Sequence, residues 1–464
     1  MKKLTYLTIT AVILGVFILS VWINPIIFTM LKWILIVVSF LVAAWLFKIF
    51  SRRERVYRIH IVVLVLSLIA TILNGWVYRS FEEILNPIQV ETTQLSVYVL
   101  KENSELEFTK DVTLGVSLDI QTDMMENFRI HVENELGFIV KPELEDYDQN
   151  LMEALDNKDV QAILLDDANL AFLEEEDLSN FLNRTAVIYT FKKETVVVPR
   201  EPIVDDFESN AIVIYISGID HLGALGWRSR SDVNQLAIVN PDTRTISLVS
   251  IPRDTHVPTT CLNNVKDKLA HAAVRGIECS ISTIENYLDI PIDYYVRLNF
   301  SSFISIFDII GPVDVYSHYN FKANGFTYVK GDNSMNTEMA LSFARARKEL
   351  PGGDFTRGLH QQEIIKGVFK KMTSPSQFSK IQSVINTTRR FVQTDINSAK
   401  ITQLLDIHLS SSTSWTLDSH VLSGDPAWAP MPQDPTRQYN VIAHSAEQLE
   451  SYIQLMKDLR KIPE

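Results

Sequence analysis

A chain of 464 residues is too long for one ordinary hydrophobic core and should divide into two or three domains. Its net charge of −13 is spread unevenly: residues 1–80 carry nine Lys or Arg and one Glu, which leaves 34 basic against 55 acidic side chains in residues 81–464. That acidity excludes nucleic-acid binding, which needs a basic surface to neutralise phosphates, so a phosphorylated ligand would have to be held by a local cluster of arginines.

In chain order, three apolar runs come first, at 4–23, 26–50 and 59–78. Each has the roughly 20 residues that a helix needs to cross a hydrocarbon core. No small-residue cleavage pattern follows the first, so all three are expected to be retained. Lys2 and Lys3 precede the first run, and Lys48, Arg52, Arg53, Arg55 and Arg58 surround the junction between the second and third. The positive-inside tendency then predicts a multi-pass membrane protein with a cytoplasmic N-terminus and everything after Arg79 extracellular. Lys32 is expected to snorkel from the end of the second span.

Residues 81–205 read as a small α/β accessory domain, with strands at 93–100, 160–165 and 185–191 and a helix at 124–135. The acidic runs between them, ELEDYD and LEEEDL, read as solvated faces or as a surface for a partner. Residues 206–464 read as a larger α/β domain, because strand and helix patterns alternate. Its opening stretch, 212–254, holds three apolar strands, the second and third joined by the turn Pro241-Asp242-Thr243-Arg244. Helices are predicted at 267–275, 282–288, 303–310, 337–347 and 361–372, a strand at 292–299, and a last helix from Ala446 with Ser445 and Gln448 placed for a capping box. Cys261 and Cys279 are the only cysteines; they either pair across the intervening segment or stand as two free thiols.

Charged and amide side chains recur where these elements end: Asp220, Arg230, Asp232, Arg253, Asp254, Lys268, Arg345, Arg347, Asp354, Arg357 and Gln361. Strand ends and helix starts are where an α/β domain presents its ligand site. Arginine forks with interspersed aspartates suit a diphosphate, the carboxylates also being able to hold Mg²⁺. On one continuous helix Arg345 and Arg347 would splay about 200° apart, so they can share a ligand only if the helix ends there, as the following KELPGGD permits. No Walker loop, Ser-x-Gly nucleophile pattern or second His or Cys at zinc-ligand spacing accompanies them.

The order GID, SRSD, a strand ending in PRD, then DKL, RAR, and GGD with RG and QQ resembles the LytR-CpsA-Psr (LCP) family over about residues 207–375. Three N-terminal spans and an intervening domain resemble its capsule-associated, CpsA-like branch. The resemblance implies a sandwich-like α/β LCP catalytic domain at 206–464. It also implies a Mg²⁺- or Mn²⁺-dependent phosphotransferase that moves a phosphate-linked glycopolymer, a capsular polysaccharide, from a polyprenyl diphosphate carrier to peptidoglycan outside the membrane. Carried onto matching positions, Asp220 and Asp232 would be the metal-side carboxylates, and Arg230, Arg253, Lys268, Arg345, Arg347, Arg357 and Gln361 would contact the pyrophosphate. Arg253, Asp232 and Asp254 would be catalytic, Asp254 as a candidate general base. Partners would be the carrier-linked glycan, the peptidoglycan acceptor, the membrane and capsule assembly proteins. Where the family often has a second arginine, this chain has Leu359 and His360. The alternative is a non-catalytic prenyl-phosphate-binding regulator of capsule assembly.

Overall fold

The structure is a computed structural model that describes residues 2–24, 32–41, 65–75, 89–197, 211–219, 228–377, 391–411 and 413–461, with single positions between 380 and 387. The chain falls into two compact units, Met1–Pro87 with Asp395–Ser414, and Ile88–Thr394 with Trp415–Glu464.

The first unit holds α1 (Lys2–Ile23), helical stretches at 32–41 and 65–75, and a helix at Ser398–Leu409. Here the expectation of three membrane-spanning helices is corrected: among the described residues no helix is long and apolar enough to cross a membrane. The described helical parts of the second and third runs are about half the roughly 20 residues a span requires. Residues 25–31, 42–64 and 76–88 lie outside the described residues. The multi-pass topology, with a cytoplasmic N-terminus and an extracellular remainder, loses its support with the spans. Polar contacts join parts of this unit: Asn24 donates to Asn74 at 2.8 Å, Asn74 to the Ser20 hydroxyl at 3.2 Å, and Lys32 to the Trp22 carbonyl at 3.2 Å.

In the second unit, residues 89–197 build one five-stranded sheet. Its strands are β1 (Gln89–Leu100), β2 (Leu114–Ser117), β3 (Leu144–Asp146), β4 (Ala162–Asp166) and β5 (Thr185–Val197), in the order β3-β2-β4-β1-β5. β2 runs parallel to β3 and β4, and β1 runs antiparallel to β4 and β5. The period-two alternation of β1 decides which face meets which helix. Leu95, Val97 and Val99 pack with Met124, Phe128 and Val132 of α2 (Thr122–Leu136). Tyr98 packs with Leu151 and Leu155 of α3 (Asp148–Asp156) and Phe181 of α4 (Glu175–Arg184).

The remainder of the unit is organised on a six-stranded mixed sheet. β6 (Ile212–Ile219), β7 (Ser231–Asn240) and β8 (Thr245–Ser250) are antiparallel neighbours, and their continuous apolar runs suit strands covered on both faces. The Pro241–Arg244 turn joins β7 to β8 as the sequence predicts: Asn240 Oδ1 accepts from the backbone amides of Asp242 and Thr243 at 3.1 and 3.2 Å. β9 (His256–Thr259) pairs with β10 (Val265–Lys268), so Asp267 and Lys268 lie in a strand, and the predicted helix contracts to α5 (Leu269–Ala272). α6 (Ile277–Leu288), β11 (Tyr294–Asn299) and α7 (Phe300–Ile310) follow. Two small hairpins come next, β12 (Val313–Ser317) with β15 (Gly331–Met335) enclosing β13 (Phe321–Ala323) with β14 (Phe326–Tyr328). Then come α8 (Thr337–Arg345), α9 (Asp354–Met372), β16 (Val392–Thr394), β17 (Thr416–Val421), the hairpin β18 (Asp425–Met431)–β19 (Asp434–Ala443), and α10 (Ala446–Arg460) with the expected Ser445/Gln448 capping box.

The sheet order is β16-β11-β6-β7-β8-β17. One face, Val213, Tyr215, Leu236, Ile238 and Val249, packs against Ile277, Ile281 and Ile284 of α6 and Met456 of α10. α9 covers the other: Gln362 donates to the Gln235 side chain at 3.1 Å and to the His420 carbonyl at 2.8 Å. A Cβ at Gly358 would collide with Ser250, so glycine is what lets the helix approach β8 closely. The expected sandwich-like α/β arrangement is therefore present, with the sheet as the middle of three layers.

Cys261 and Cys279 are bonded, tying the β9–β10 connection to α6. For a closed loop of this size a bridge stabilises by about 3 kcal/mol. Reduction is therefore expected to lower the urea midpoint of the full chain, and an identical midpoint with and without reductant would show the bridge to be inconsequential. A second expectation concerns Asp148, whose carboxyl burial and the nearby Asp119 push up to about 7. Unfolded, it would release its proton near pH 4. The native state thus binds more protons between those values, and unfolding free energy should fall as pH rises from about 4 to about 7. Asp148→Asn should remove much of that slope in denaturation experiments at pH 5 and pH 7, by at most about 3 kcal/mol.

Candidate functional site

Four segments bring charge to one place. β7 supplies Asp232 near its start, the turn after β8 supplies Arg253 and Asp254, the end of β10 supplies Lys268, and the link from α8 into α9 supplies Arg347, Asp354 and Arg357. Local sequence explains the last group. α8 stops at Arg345 and Ala346 turns to an extended backbone (φ −59°, ψ 127°), so Arg347 leaves the helix direction. Gly352 and Gly353 have positive φ, which lets the chain reverse before Asp354 opens α9.

The charges interleave. Arg253 Nη1 donates to both carboxylate oxygens of Asp232 at 2.9 Å, and its Nε lies 3.7 Å from Asp254. Asp254 also meets Lys268 at 3.3 Å and Arg347 at 3.7 Å. Arg347 reaches Asp354 at 3.8 Å, and Asp354 pairs with Arg357. Burial opposes the charge on Asp254, yet Lys268, Arg253 and Arg347 together hold its carboxyl below the usual carboxylate range. Burial likewise opposes the charge on Arg253, and Asp232 and Asp254 more than offset it, raising the guanidinium above its ordinary value. For Arg357 burial wins over the attraction of Asp354, and its pKa is lowered.

Other sequence-predicted residues lie elsewhere. Arg345, at the last turn of α8, places its guanidinium over the Phe300 ring at 4.7 Å. Gln361 donates to the Ala344 carbonyl at 3.3 Å and so ties α9 to the end of α8. Arg230 donates to the Leu173 carbonyl at 3.3 Å. Asp220 lies outside the described residues. His360 is fully buried and stacks on Phe343 at 4.0 Å and Phe321 at 5.4 Å; burial lowers its pKa to about 4, which keeps it neutral. An aromatic core residue thus stands where the resemblance leads one to look for a basic one.

Sequence reasoning missed two participants. Glu174 lies 3.4 Å from Lys268, and the Tyr439 ring centroid lies 5.7 Å from the same ammonium. The acidic run LEEEDL was the visible signal for Glu174, and its charge alone names no partner; the Tyr439 contact arises from tertiary folding.

As for a metal, hard carboxylate oxygens are the donor type that Mg²⁺ or Mn²⁺ takes. The described carboxylates do not form such a cage: both oxygens of Asp232 face Arg253, and among the described residues no group of three or more His, Cys, Asp or Glu converges. What they do form is a cluster of guanidinium and ammonium groups spaced by carboxylates, suited to a multiply charged anion.

Comparisons with known proteins agree with this region. The polyisoprenyl-teichoic acid–peptidoglycan teichoic acid transferase TagU of Bacillus licheniformis is 33% identical over 199 residues, covering 42% of this chain and 64% of that protein. TagU of Bacillus mycoides is 33% identical over 222 residues (45% and 72%), and TagU of Bacillus subtilis 34% over 184 residues (39% and 59%). The matches thus span 59–72% of these relatives' own length, less than two thirds for two of the three. The crystal structure of B. subtilis TagV aligns with a TM-score of 0.46 and 27% identity, covering 55% of this chain and 100% of that one. The profile of the LytR_cpsA_psr family matches residues 185–454, more than half of the chain, and the protein belongs to that family.

Proposed function

We propose that the protein transfers a phosphate-linked glycopolymer from a polyprenyl diphosphate carrier to a hydroxyl of peptidoglycan. The observation that carries this reading is the cluster of Arg253, Lys268, Arg347 and Arg357 gathered around Asp254 and Asp354 at the ends of β8, β10 and α8. The relatives' activity, polyisoprenyl-linked teichoic acid to peptidoglycan, is of the same class.

In the proposed reaction the acceptor oxygen attacks the phosphorus that bears the glycan. A new phosphodiester forms, the bond to the bridging diphosphate oxygen breaks, and polyprenyl monophosphate leaves, while the hydroxyl proton passes to a base. Phosphoryl transfer is promoted chiefly by positioning and by neutralising charge that develops on the phosphate oxygens. The guanidinium of Arg253, kept charged by Asp232 and Asp254, is suited to that task, and Arg347 and Arg357 would hold the second phosphate. Asp254 is engaged by three cations and weakly basic, which favours a role in orienting them over accepting the proton. Mg²⁺ or Mn²⁺ is proposed as a cofactor on the family resemblance, with Asp220 and Asp232 as its carboxylates; Asp232 would have to give up part of its contact with Arg253 to hold it, and the ion would add neutralising charge at the diphosphate.

The module of residues 89–197 supports assignment to a branch of the family with an accessory domain, because most of it precedes the matched residues 185–454. On that basis the glycopolymer is proposed to be a capsular polysaccharide, and capsule assembly proteins are the proposed further partners.

Arg253→Ala should lower transfer of carrier-linked glycan to peptidoglycan by about 10²–10³-fold; transfer at the parental rate in a properly folded variant would overturn the reading. Arg347→Ala should cost about tenfold or more in kcat/KM, and more than Arg345→Ala, because only Arg347 joins the charge cluster. Equal losses from the two variants would contradict the placement of the site.

A further inference from the structure

Three consecutive residues of the 89–197 module, Phe172, Leu173 and Glu174, touch the charge cluster or its immediate support. The Phe172 ring stands edge-on to His271 at 5.2 Å, with the Arg275 guanidinium 4.9 Å from its centroid. The Leu173 carbonyl accepts from Arg230 at 3.3 Å. Glu174 Oε1 lies 3.4 Å from Lys268 Nζ, and its neighbour in α4, Asp177, pairs with Arg437 of β19 at 2.6 Å.

The two carboxylates on Lys268 differ in how firmly they are held. Asp254, 3.3 Å away, is almost buried and is shared with Arg253 and Arg347. Glu174 has a side chain 44% exposed, so displacing it from Lys268 costs at most about 1 kcal/mol. Within the ion-pair network the cations Arg253, Lys268, Arg347 and Arg357 are matched by Asp232, Asp254, Asp354 and Glu174. The fourth carboxylate is the one the module contributes, and it brings the cluster to neutrality. A phosphate oxygen is also an anionic acceptor and competes for the same ammonium.

We infer that Glu174 sets the affinity of the site: its carboxylate occupies the Lys268 direction that a substrate phosphate oxygen takes up, so the 89–197 module tunes diphosphate binding and is displaced from Lys268 when the anion enters. This rests on the diphosphate reading of the site. Calorimetric titration of the full chain with inorganic pyrophosphate, and KM and kcat with the carrier-linked substrate, test it.

Wild-type protein should bind pyrophosphate in an Arg253-dependent way, and Glu174→Gln should bind about threefold to fivefold more tightly, the equivalent of up to about 1 kcal/mol. KM should fall by a similar factor. Glu175→Gln, which removes a neighbouring exposed charge, should leave affinity unchanged, and in a Lys268→Ala background the Glu174→Gln change should have no effect. Unchanged or weaker binding by Glu174→Gln, alongside Arg253-dependent binding by the wild type, overturns the inference and leaves the diphosphate reading standing. Absence of pyrophosphate binding by the wild type overturns both.

Discussion

The constraint on which the site depends is the mutual repulsion of its cations. Arg253, Lys268, Arg347 and Arg357 come from three separate regions of the chain, and unit charges about 4 Å apart repel by roughly 4 kcal/mol at an effective dielectric of 20. Asp254 resolves the conflict by contacting three of them at 3.3–3.7 Å. Asp232 and Asp354 extend the alternation to either side. Each of these carboxylates thereby pairs with at least one cation of the cluster. A binding site for a polyanion is stable in the ligand-free protein only if it carries its own counter-charges, and here these are covalently part of the fold.

The fold places those charges through a few local breaks in regular structure. Arg253 and Asp254 follow directly on β8, whose register against β7 is fixed by the Asn240 turn at the opposite end of the hairpin. Lys268 closes β10 and is followed at once by α5. α8 ends two residues before Arg347, and the two glycines ahead of α9 return the chain so that Asp354 and Arg357 face the same cluster. α9 is then anchored from behind, by Gln362 on three strands and by the close approach at Gly358. Rigid elements behind and short irregular links in front is the arrangement that holds charged groups in place at low cost in stability.

Much of this was legible in the sequence because it rests on local signals. Strand runs, the Pro241–Arg244 turn and the Ser445/Gln448 capping box depend on residues within a few positions of one another. The recurrence of charged side chains at element ends singled out Asp232, Arg253, Asp254, Lys268, Arg347, Asp354 and Arg357, and the structure brings these seven into one ion-pair cluster. Periodicity could not tell that Asp267 and Lys268 sit in a strand, since the pairing partner, β9, lies across a turn. Nor could it separate Arg345 from Arg347: whether two arginines two positions apart converge depends on where the helix ends, a matter of a residue or two. The apolar N-terminal runs misled for a related reason. Composition alone satisfies a span criterion, whereas the described helices are not long and apolar enough to meet it.

The LEEEDL run shows why charge patterns are hard to read in one dimension. Its glutamates and aspartate looked like a solvated face or a surface awaiting a partner, and two of them do have partners, in the same chain: Lys268, 94 positions after Glu174, and Arg437, 260 positions after Asp177. Both contacts connect the 89–197 module to the family-matched region, which begins only in the module's last strand. The physical boundary of the site therefore does not follow the boundary of the family match. An insertion that merely filled space would have no reason to present a backbone carbonyl to Arg230 and a carboxylate to Lys268 from adjacent residues. Because Lys268 also contacts Asp254, any displacement of Glu174, which immediately precedes α4, from Lys268 changes the electrostatic balance at the centre of the cluster, and it is through this ammonium group that the module joins the ion-pair network.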